Sequence, residues 1–382
     1  MDLAAYLFGI NIATFFVDLG VIFTLYLIVS LTLNLEAGYT GVPNFGKVLF
    51  VAGGAAFAGS VSGRLATLIL GINTFGNYNG NIARIINQVN ADLSVNLALS
   101  FLLLFVGVLV GACVGAGLGY LASFPAIRLR EDYLGMLLLA SAQFFQIFLA
   151  GYEPLIGGTQ GIQVPDVFAW ASNIGAGWRD VAVLVVLTVF ALTIYLFAER
   201  LVRSPLGRTL RAVRDNEIAA RALGKNDVAI RRKVIIVASA ISGIAGALLT
   251  FYVSSVGAET WTRVEWTFWI WVILIVGGAA NNLGVALGAL SFTFFLKIVA
   301  LVKFRFQPFI PFDVNWFEYI LFGSLLILML VLRPEGILPE KSSTTLTWWK
   351  IASIMQSPPG PKWRTPNEQE PATPNPSSGG DG

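Results

Sequence analysis

Apolar residues fill this chain in long blocks, and the polar positions collect in the short breaks between them. Nine blocks approach or exceed the roughly 20 residues a helix needs to cross a bilayer. They predict spans near 19–35, 48–70, 95–123, 133–150, 181–198, 234–256, 265–280, 283–302 and 316–332. Residues 3–17 are apolar too, but as a helix they would extend only about 22 Å. Residues 1–18 are therefore expected to form an interfacial or re-entrant lead-in, and a tenth span results if they cross. The pattern predicts an all-α integral membrane protein, a bundle of about nine or ten transmembrane helices over 19–340. Residues 341–382 are expected to be a disordered tail, with seven prolines within 357–382. Small residues recur at every fourth position at Gly107, Gly111, Gly115 and Gly119, at Ala55, Gly59 and Gly63, and at Gly284 and Gly288. Such stripes let helix backbones approach closely in lipid, so they predict packing faces.

Composition sharpens this picture. Only 12% of residues are charged, about half the share in a soluble domain. One cysteine and no histidine exclude a disulfide framework, His/Cys metal sites and histidine acid–base chemistry. Cys113 reads as a small packing residue. The N-terminus carries Asp2 and Asp18 instead of the basic start of a signal peptide. Positive charge is concentrated: residues 199–233 hold ten of the 25 Lys and Arg residues, against four acids. The positive-inside rule places that island in the cytoplasm. Arg128 and Arg130, two spans earlier, fall on the same side, as do Arg333 and Lys341 four spans later. A cytoplasmic C-terminus and an external N-terminus follow, with Lys303 and Arg305 against the rule.

Few stretches carry chemistry. Residues 41–48 fit G-x-x-x-x-G-K until Val48, where a phosphate loop needs Ser or Thr. With helical flanks and Pro43 inside, a short inter-helical turn is predicted. Ionisable residues within the spans are few, Glu265 and Lys297 among them, and form no carboxylate relay for an ion-driven carrier. No acid–base pair or metal cluster suggests a membrane enzyme. The loop with Gly157, Gly158, Thr159, Gln160 and Gly161 has two readings, an unwound segment offering backbone groups to a polar substrate or a tight turn. Inside the basic island, Ser204-Pro205 starts a helix that puts Leu206, Leu210 and Val213 on one side. A second start at Asp215, Glu217 in the first turn and a stop at Gly224 predict a short helix over 216–223. It pairs Glu217 with Arg221 and gathers Ile218, Ala219, Ala222 and Leu223 on one face, and Asn226-Asp227 caps the helix after it. Eight residues are marginal as a helix alone, so the bundle or another protein must support it.

Residues 211–224, RAVRDNEIAARALG, resemble the cytoplasmic coupling segment of LivM-type permeases of ATP-driven branched-chain amino-acid importers. Residues 34–41, NLEAGYTG, resemble that family's N-L-x-x-G-Y-T-G. Residues 128–136, RLREDYLGM, and 157–161, GGTQG, resemble two further motifs. Ser242–Ala247 and the Gly277, Gly278, Gly284, Gly288 pattern follow in order, so the resemblance covers about residues 17–340. It implies the ABC importer permease fold in the cell membrane, without an ATPase site or bound cofactor of its own and with no nucleic acid. The implied partners are a second related permease, two cytoplasmic ATPase subunits that hydrolyse ATP, and an extracytoplasmic substrate-binding protein. Asp215, Glu217, Ile218, Ala219, Ala220, Leu223 and Gly224 would form the ATPase-coupling helix. Asn34, Thr40, Gln143, Gly157, Gly158, Thr159 and Glu265 are the expected substrate path. The chain departs from the pattern at Pro43-Asn44-Phe45-Gly46-Lys47, where the family has an S-L-G-H-like run, and at Gln143, where many members carry an acid. Asn281 and Asn282 alter the G-G-x-G pattern. The cargo implied is a branched-chain or other amino acid, with urea or short amides as the alternative. A stand-alone carrier or channel is the reading from another class.

Overall fold

A chain in lipid must pair every backbone polar group within itself, and helices do so segment by segment. The computed structural model follows that rule. It describes residues 6–7, 10–72, 78–129, 131–307 and 313–340. The expected tail from 341 and Arg130 of the R-L-R motif lie outside the described residues.

A two-residue hairpin, β1 (Tyr6–Leu7) with β2 (Ile10–Asn11), leads into α1 (Ile12–Leu33). This helix starts seven residues ahead of the first predicted span and continues through a π-turn, Asn34–Gly38. There follow α2 (Lys47–Leu70), α3 (Ile82–Val95), α4 (Leu97–Arg128) and α5 (Glu131–Gly151). The segment after α5 holds α6 (Glu153–Ile156), β3 (Ile162–Gln163) and α7 (Ala169–Ser172). Helix α8 (Trp178–Arg203) runs to the basic island, which forms α9 (Pro205–Asp215) and α10 (Glu217–Ala222). Helix α11 (Asp227–Val253) ends at β4 (Ser255–Val256), which pairs antiparallel with β3. A second π-turn, Val264–Phe268, opens α12 (Trp269–Gly277), and α13 (Asn282–Phe306) and α14 (Asn315–Leu332) complete the bundle. Among the described residues, seven segments are long and apolar enough to span a membrane. Two shorter apolar ones, Val264–Gly277 and Trp316–Leu332, bring the total to nine, at the places the apolar blocks predict.

Helix α11 lies at the centre, packed most extensively on α4 and α2. The glycine stripes make this contact. A Cβ on Gly115 would lie 2.4 Å from the Ser239 carbonyl oxygen, and one on Gly54 only 2.2 Å from that of Gly243. Gly284 and Gly288 meet the end of α12 in the same way. Residues 53–56 and 277–280 both read Gly-Gly-Ala-Ala but take different structures. The first lies inside α2, while the second is the break between α12 and α13, where Gly278 and Ala280 have positive φ.

The bundle has two differently built ends. At one, Arg179 donates to Asp166 (2.6 Å), to the Tyr252 carbonyl (2.9 Å) and to Ser254 Oγ (3.1 Å), pinning the α7–α8 region to the end of α11. Tyr252 Oη also donates to Asp18, which pairs with Lys297, so α1, α11 and α13 join there. The other end carries the basic island. Helix α3 falls outside the long apolar runs, yet it buries Ile85, Ile86, Val89 and Leu93 along one stripe. It is an amphipathic helix too short and too polar to span.

Candidate functional site

At the basic end, residues 34–41 meet the basic island, and the contacts explain them one by one. Asn34 Oδ1 accepts from the Ala280 backbone N–H (2.8 Å), and its Nδ2 donates to Asn282 Oδ1 (2.9 Å). Asn282 in turn donates to Glu199 (2.9 Å). Gly38 must lack a side chain, because a Cβ would sit 2.2 Å from Asn34 Oδ1 and 2.7 Å from the Ala280 nitrogen. Tyr39 is buried beneath the Arg211 guanidinium, 5.8 Å from its ring centroid, a cation–π arrangement. Thr40 Oγ1 donates to the Leu35 carbonyl (2.7 Å), left open where the helix ends. Gly41 turns with φ +74° under Arg214.

Arg214 is the bridge. Its Nη1 donates to the Gly38 carbonyl (2.7 Å), its Nη2 to Glu340 (3.0 Å) and its Nε to Asp215 (2.9 Å). Burial works against the guanidinium charge, but the Glu340 and Asp215 carboxylates outweigh it and hold the group above its ordinary pKa. Residues 336–340 lie across the α12–α13 break: Leu338 donates to the Gly277 carbonyl (3.1 Å), and Asn281 to that of Pro339 (3.0 Å). One end of the bundle thus joins the end of α1, the basic island through α9, the start of α13 and the chain after α14.

The island itself is close to expectation, with corrections. The cap of α10 is Asn216 rather than Asp215; Asn216 Oδ1 accepts from the Ala219 N–H (3.0 Å), and Asp215 ends α9. Helix α10 accordingly spans 217–222, shorter than expected. Ser204 stands at the start of α9, yet its hydroxyl donates back to Leu201. The buried face of α9 is Gly207, Leu210 and Val213, while Leu206 is exposed. Glu217 pairs with Arg221 at 3.7 Å and with Arg231 at 3.2 Å, and Arg221 forks onto Asp227 with two 2.8 Å bonds. Those bonds hold the Arg221 guanidinium above its ordinary pKa. Asn226 caps α11 through the Ala229 N–H. Ala220 is the buried residue of α10; Ile218, Ala219, Ala222 and Leu223 are exposed. Gly224 follows with φ +74°.

A second feature was outside the sequence expectation. Glu36, in the π-turn, and Lys47, the first residue of α2, form an ion pair of 2.6 Å with both side chains at 0% exposure. Asn44 Nδ2 donates to the same carboxylate oxygen (3.0 Å), and Lys47 Nζ also donates to Thr32 Oγ1 (3.0 Å), itself 2.9 Å from Ser242 Oγ of α11. Glu36 Oε1 has no hydrogen-bond partner among the described residues. The two charges stand at the edges of apolar blocks, just outside the predicted spans 19–35 and 48–70, so a reading confined to the spans passes over them. The signal available was the pairing of opposite charges across one short turn. That turn is the predicted inter-helical connection, with Phe45 stacked on Trp271 at 4.7 Å.

The expected substrate-path residues fall at separate places. Asn34 and Thr40 are buried and occupied by the bonds above. Gln143 is half-buried on α5, donating to Gln146 (3.3 Å), which reaches the Ala258 carbonyl (3.4 Å). Glu265 lies in the second π-turn, its backbone N–H on Thr262 Oγ1. Gly157 and Gly158 have φ of +72° and +63°, and Gly161 packs against the Val256 carbonyl. The loop is therefore a tight turn pinned to β4. With Thr159, Arg64 and Glu153 it borders an open cavity of about 620 Å³ at the end opposite the island.

The family model for the permease component of the branched-chain amino acid transport system matches residues 15–330. A probable branched-chain amino acid transport permease protein LivM of Methanocaldococcus jannaschii is 37% identical over 325 residues, 85% of this chain and 93% of that protein. High-affinity branched-chain amino acid transport system permease proteins LivM of Salmonella typhimurium and Escherichia coli are 30% and 29% identical over 243 residues. Those alignments span 58% of this chain and 54% of each relative. No solved structure matches the chain.

Proposed function

The chain belongs to the permease family of branched-chain amino acid transport systems, and on that premise we propose that it lines the membrane path of an ATP-driven importer of branched-chain amino acids. In this reading it pairs with a second related permease, takes cargo from an extracytoplasmic binding protein and is driven by two cytoplasmic ATPase subunits. The basic island and the C-terminus face the cytoplasm, as the charge distribution favours. The observation that carries the reading is α10. It is a capped helix of six residues with a single buried side chain, Ala220, tied to α11 by the Glu217–Arg231 and Arg221–Asp227 pairs, while its apolar side is exposed. A helix so short does not persist without tertiary support, and its exposed face is small enough to enter a cleft on a partner. Arg214, two residues before its cap, connects it directly to α1 through the Gly38 carbonyl. ATPase movement therefore has a bonded route into the bundle.

The test is reconstitution of the chain with the subunits its neighbouring genes encode, in proteoliposomes loaded with ATP or with an ion gradient. Leucine accumulation that requires ATP and binding protein is expected. Accumulation on an ion gradient without ATPase subunits would establish a stand-alone carrier instead, and uptake of urea or acetamide in preference to leucine would change the cargo.

A further inference from the structure

We propose that the Glu36–Lys47 pair and the open apolar groove bordered by Pro43 and Phe45 of the turn between them are the place where the permease holds its cargo, Glu36 receiving an α-ammonium and Lys47 an α-carboxylate. This rests on the amino-acid reading above and names the groups that recognise the cargo. Two charges with no exposure are expensive to keep in an apolar interior, and a packed apolar pair of similar volume serves stability as well or better. Their presence within a membrane bundle therefore points to use. The pair is also unfinished: Glu36 Oε1 accepts nothing from the described residues, although Glu36 is fully buried.

Charge balance defines what can open it. Parting Glu36 from Lys47 leaves two bare charges, and a cation or an anion alone restores only one. A zwitterion restores both, replacing one ion pair with two. Urea and simple amides carry no charge and restore neither.

The surroundings supply the rest of an amino-acid site. The connection between Glu36 and Lys47 is non-helical over residues 41–46, and within a membrane such backbone is tolerated where protein buries it or where it lines a path. Asn44 turns inward to the Glu36 carboxylate. Its neighbours Pro43 and Phe45 border an open groove of about 610 Å³ with Tyr133, Met136, Leu139 and Phe268; the two buried charges lie outside its lining, so the pair must part toward the groove to meet a cargo. That volume lies in the range of about 300–1,000 Å³ typical of small-molecule sites. Its lining suits an aliphatic side chain. At 2.6 Å the pair is closed, and the residue that bears Glu36 belongs to the π-turn that Arg214 grips. The coupling segment is thus placed to open it.

The experiment uses the reconstituted complex with wild-type binding protein throughout, so that any change in selectivity belongs to the permease. Labelled leucine and valine are the probes. Glu36→Gln with Lys47→Met removes both charges without leaving either one bare, and at least a tenfold loss of leucine uptake per inserted permease is expected. Met136→Trp reduces the groove and should change the leucine-to-valine ratio of kcat/KM at least threefold. Uptake by the double variant within twofold of wild type would show that the pair is only a packing element and would overturn the site. An unchanged leucine-to-valine ratio in Met136→Trp would do the same, even if the double variant failed to insert. Absence of leucine uptake by the wild-type complex would instead remove the amino-acid reading, and this site with it.

Discussion

Gly38 and Asn34 are four residues apart, and each dictates the other. The Asn34 side chain occupies the space where a Gly38 methyl would lie, 2.2 Å from the ideal Cβ, and the nitrogen of the Ala280 N–H that Asn34 satisfies is 2.7 Å from it. Gly38→Ala should therefore expel Asn34, and overpacking at such a site costs about 1–3 kcal/mol. A lowered thermal midpoint of the detergent-purified protein is the expected result; an unchanged midpoint would mean that the contact gives way freely. The ion pair makes a different prediction. Lys47→Met alone strands the Glu36 carboxylate in the interior and should destabilise by about 3–5 kcal/mol, whereas Glu36→Gln with Lys47→Met should be nearly neutral. Unfolding curves of the two variants compare them directly. Neither arrangement is legible residue by residue in the chain. Glu36 and Lys47 sit at the margins of apolar blocks, where a charged residue ordinarily reaches the interface, and only the re-entry of residues 41–46 shows that they do not.

Helix α10 shows what elements disclose and withhold. Its existence is legible because caps and stops are local chemistry: an Asn or Asp before, a Gly after, and a carboxylate in the first turn. The choice between Asp215 and Asn216 as cap is not legible, since both side chains can accept the same bond. It is settled by the backbone, which is extended at Asn216 (φ −157°, ψ 101°) while Asp215 completes α9. Which face is buried is equally invisible in so short a segment. Ala220 is 2% exposed, whereas Ile218 and Leu223 are 74% and 80% exposed, so substitutions on the two sides should act differently. Ile218→Asp with Leu223→Asp should leave the amount of inserted permease and its thermal midpoint within about 0.5 kcal/mol of wild type while abolishing ATP-dependent uptake. Ala220→Arg forces a charge into the bundle and should lower the amount of folded protein itself. Uptake at the wild-type rate in the double aspartate variant would show that this face docks nothing.

At the scale of the whole molecule, the nine apolar segments were legible because lipid imposes a length and leaves charge no place to hide. The four-residue small stripes went further and named the contact faces, though not their partners. Gly111 and Gly115 meet Gly243 and Ser239 of α11, a pairing that no local pattern could supply because it joins residues more than a hundred positions apart. There is no hydrophobic force between helices already surrounded by lipid, so close packing must hold α4 on α11. If so, the same substitution at two sites on one helix should give opposite results. At Gly115 a Cβ meets the Ser239 carbonyl oxygen at 2.4 Å, while at Gly117, two residues on, it meets nothing within 4 Å. Both changes to Val carry the same small helix-propensity effect, which therefore cancels in the comparison. Gly115→Val must push backbone from backbone along the central contact of the bundle, and it should lower the thermal midpoint and the yield of inserted protein. Gly117→Val should match wild type in both measurements. Equal behaviour of the two variants would mean that the α4–α11 contact is not what holds the bundle together.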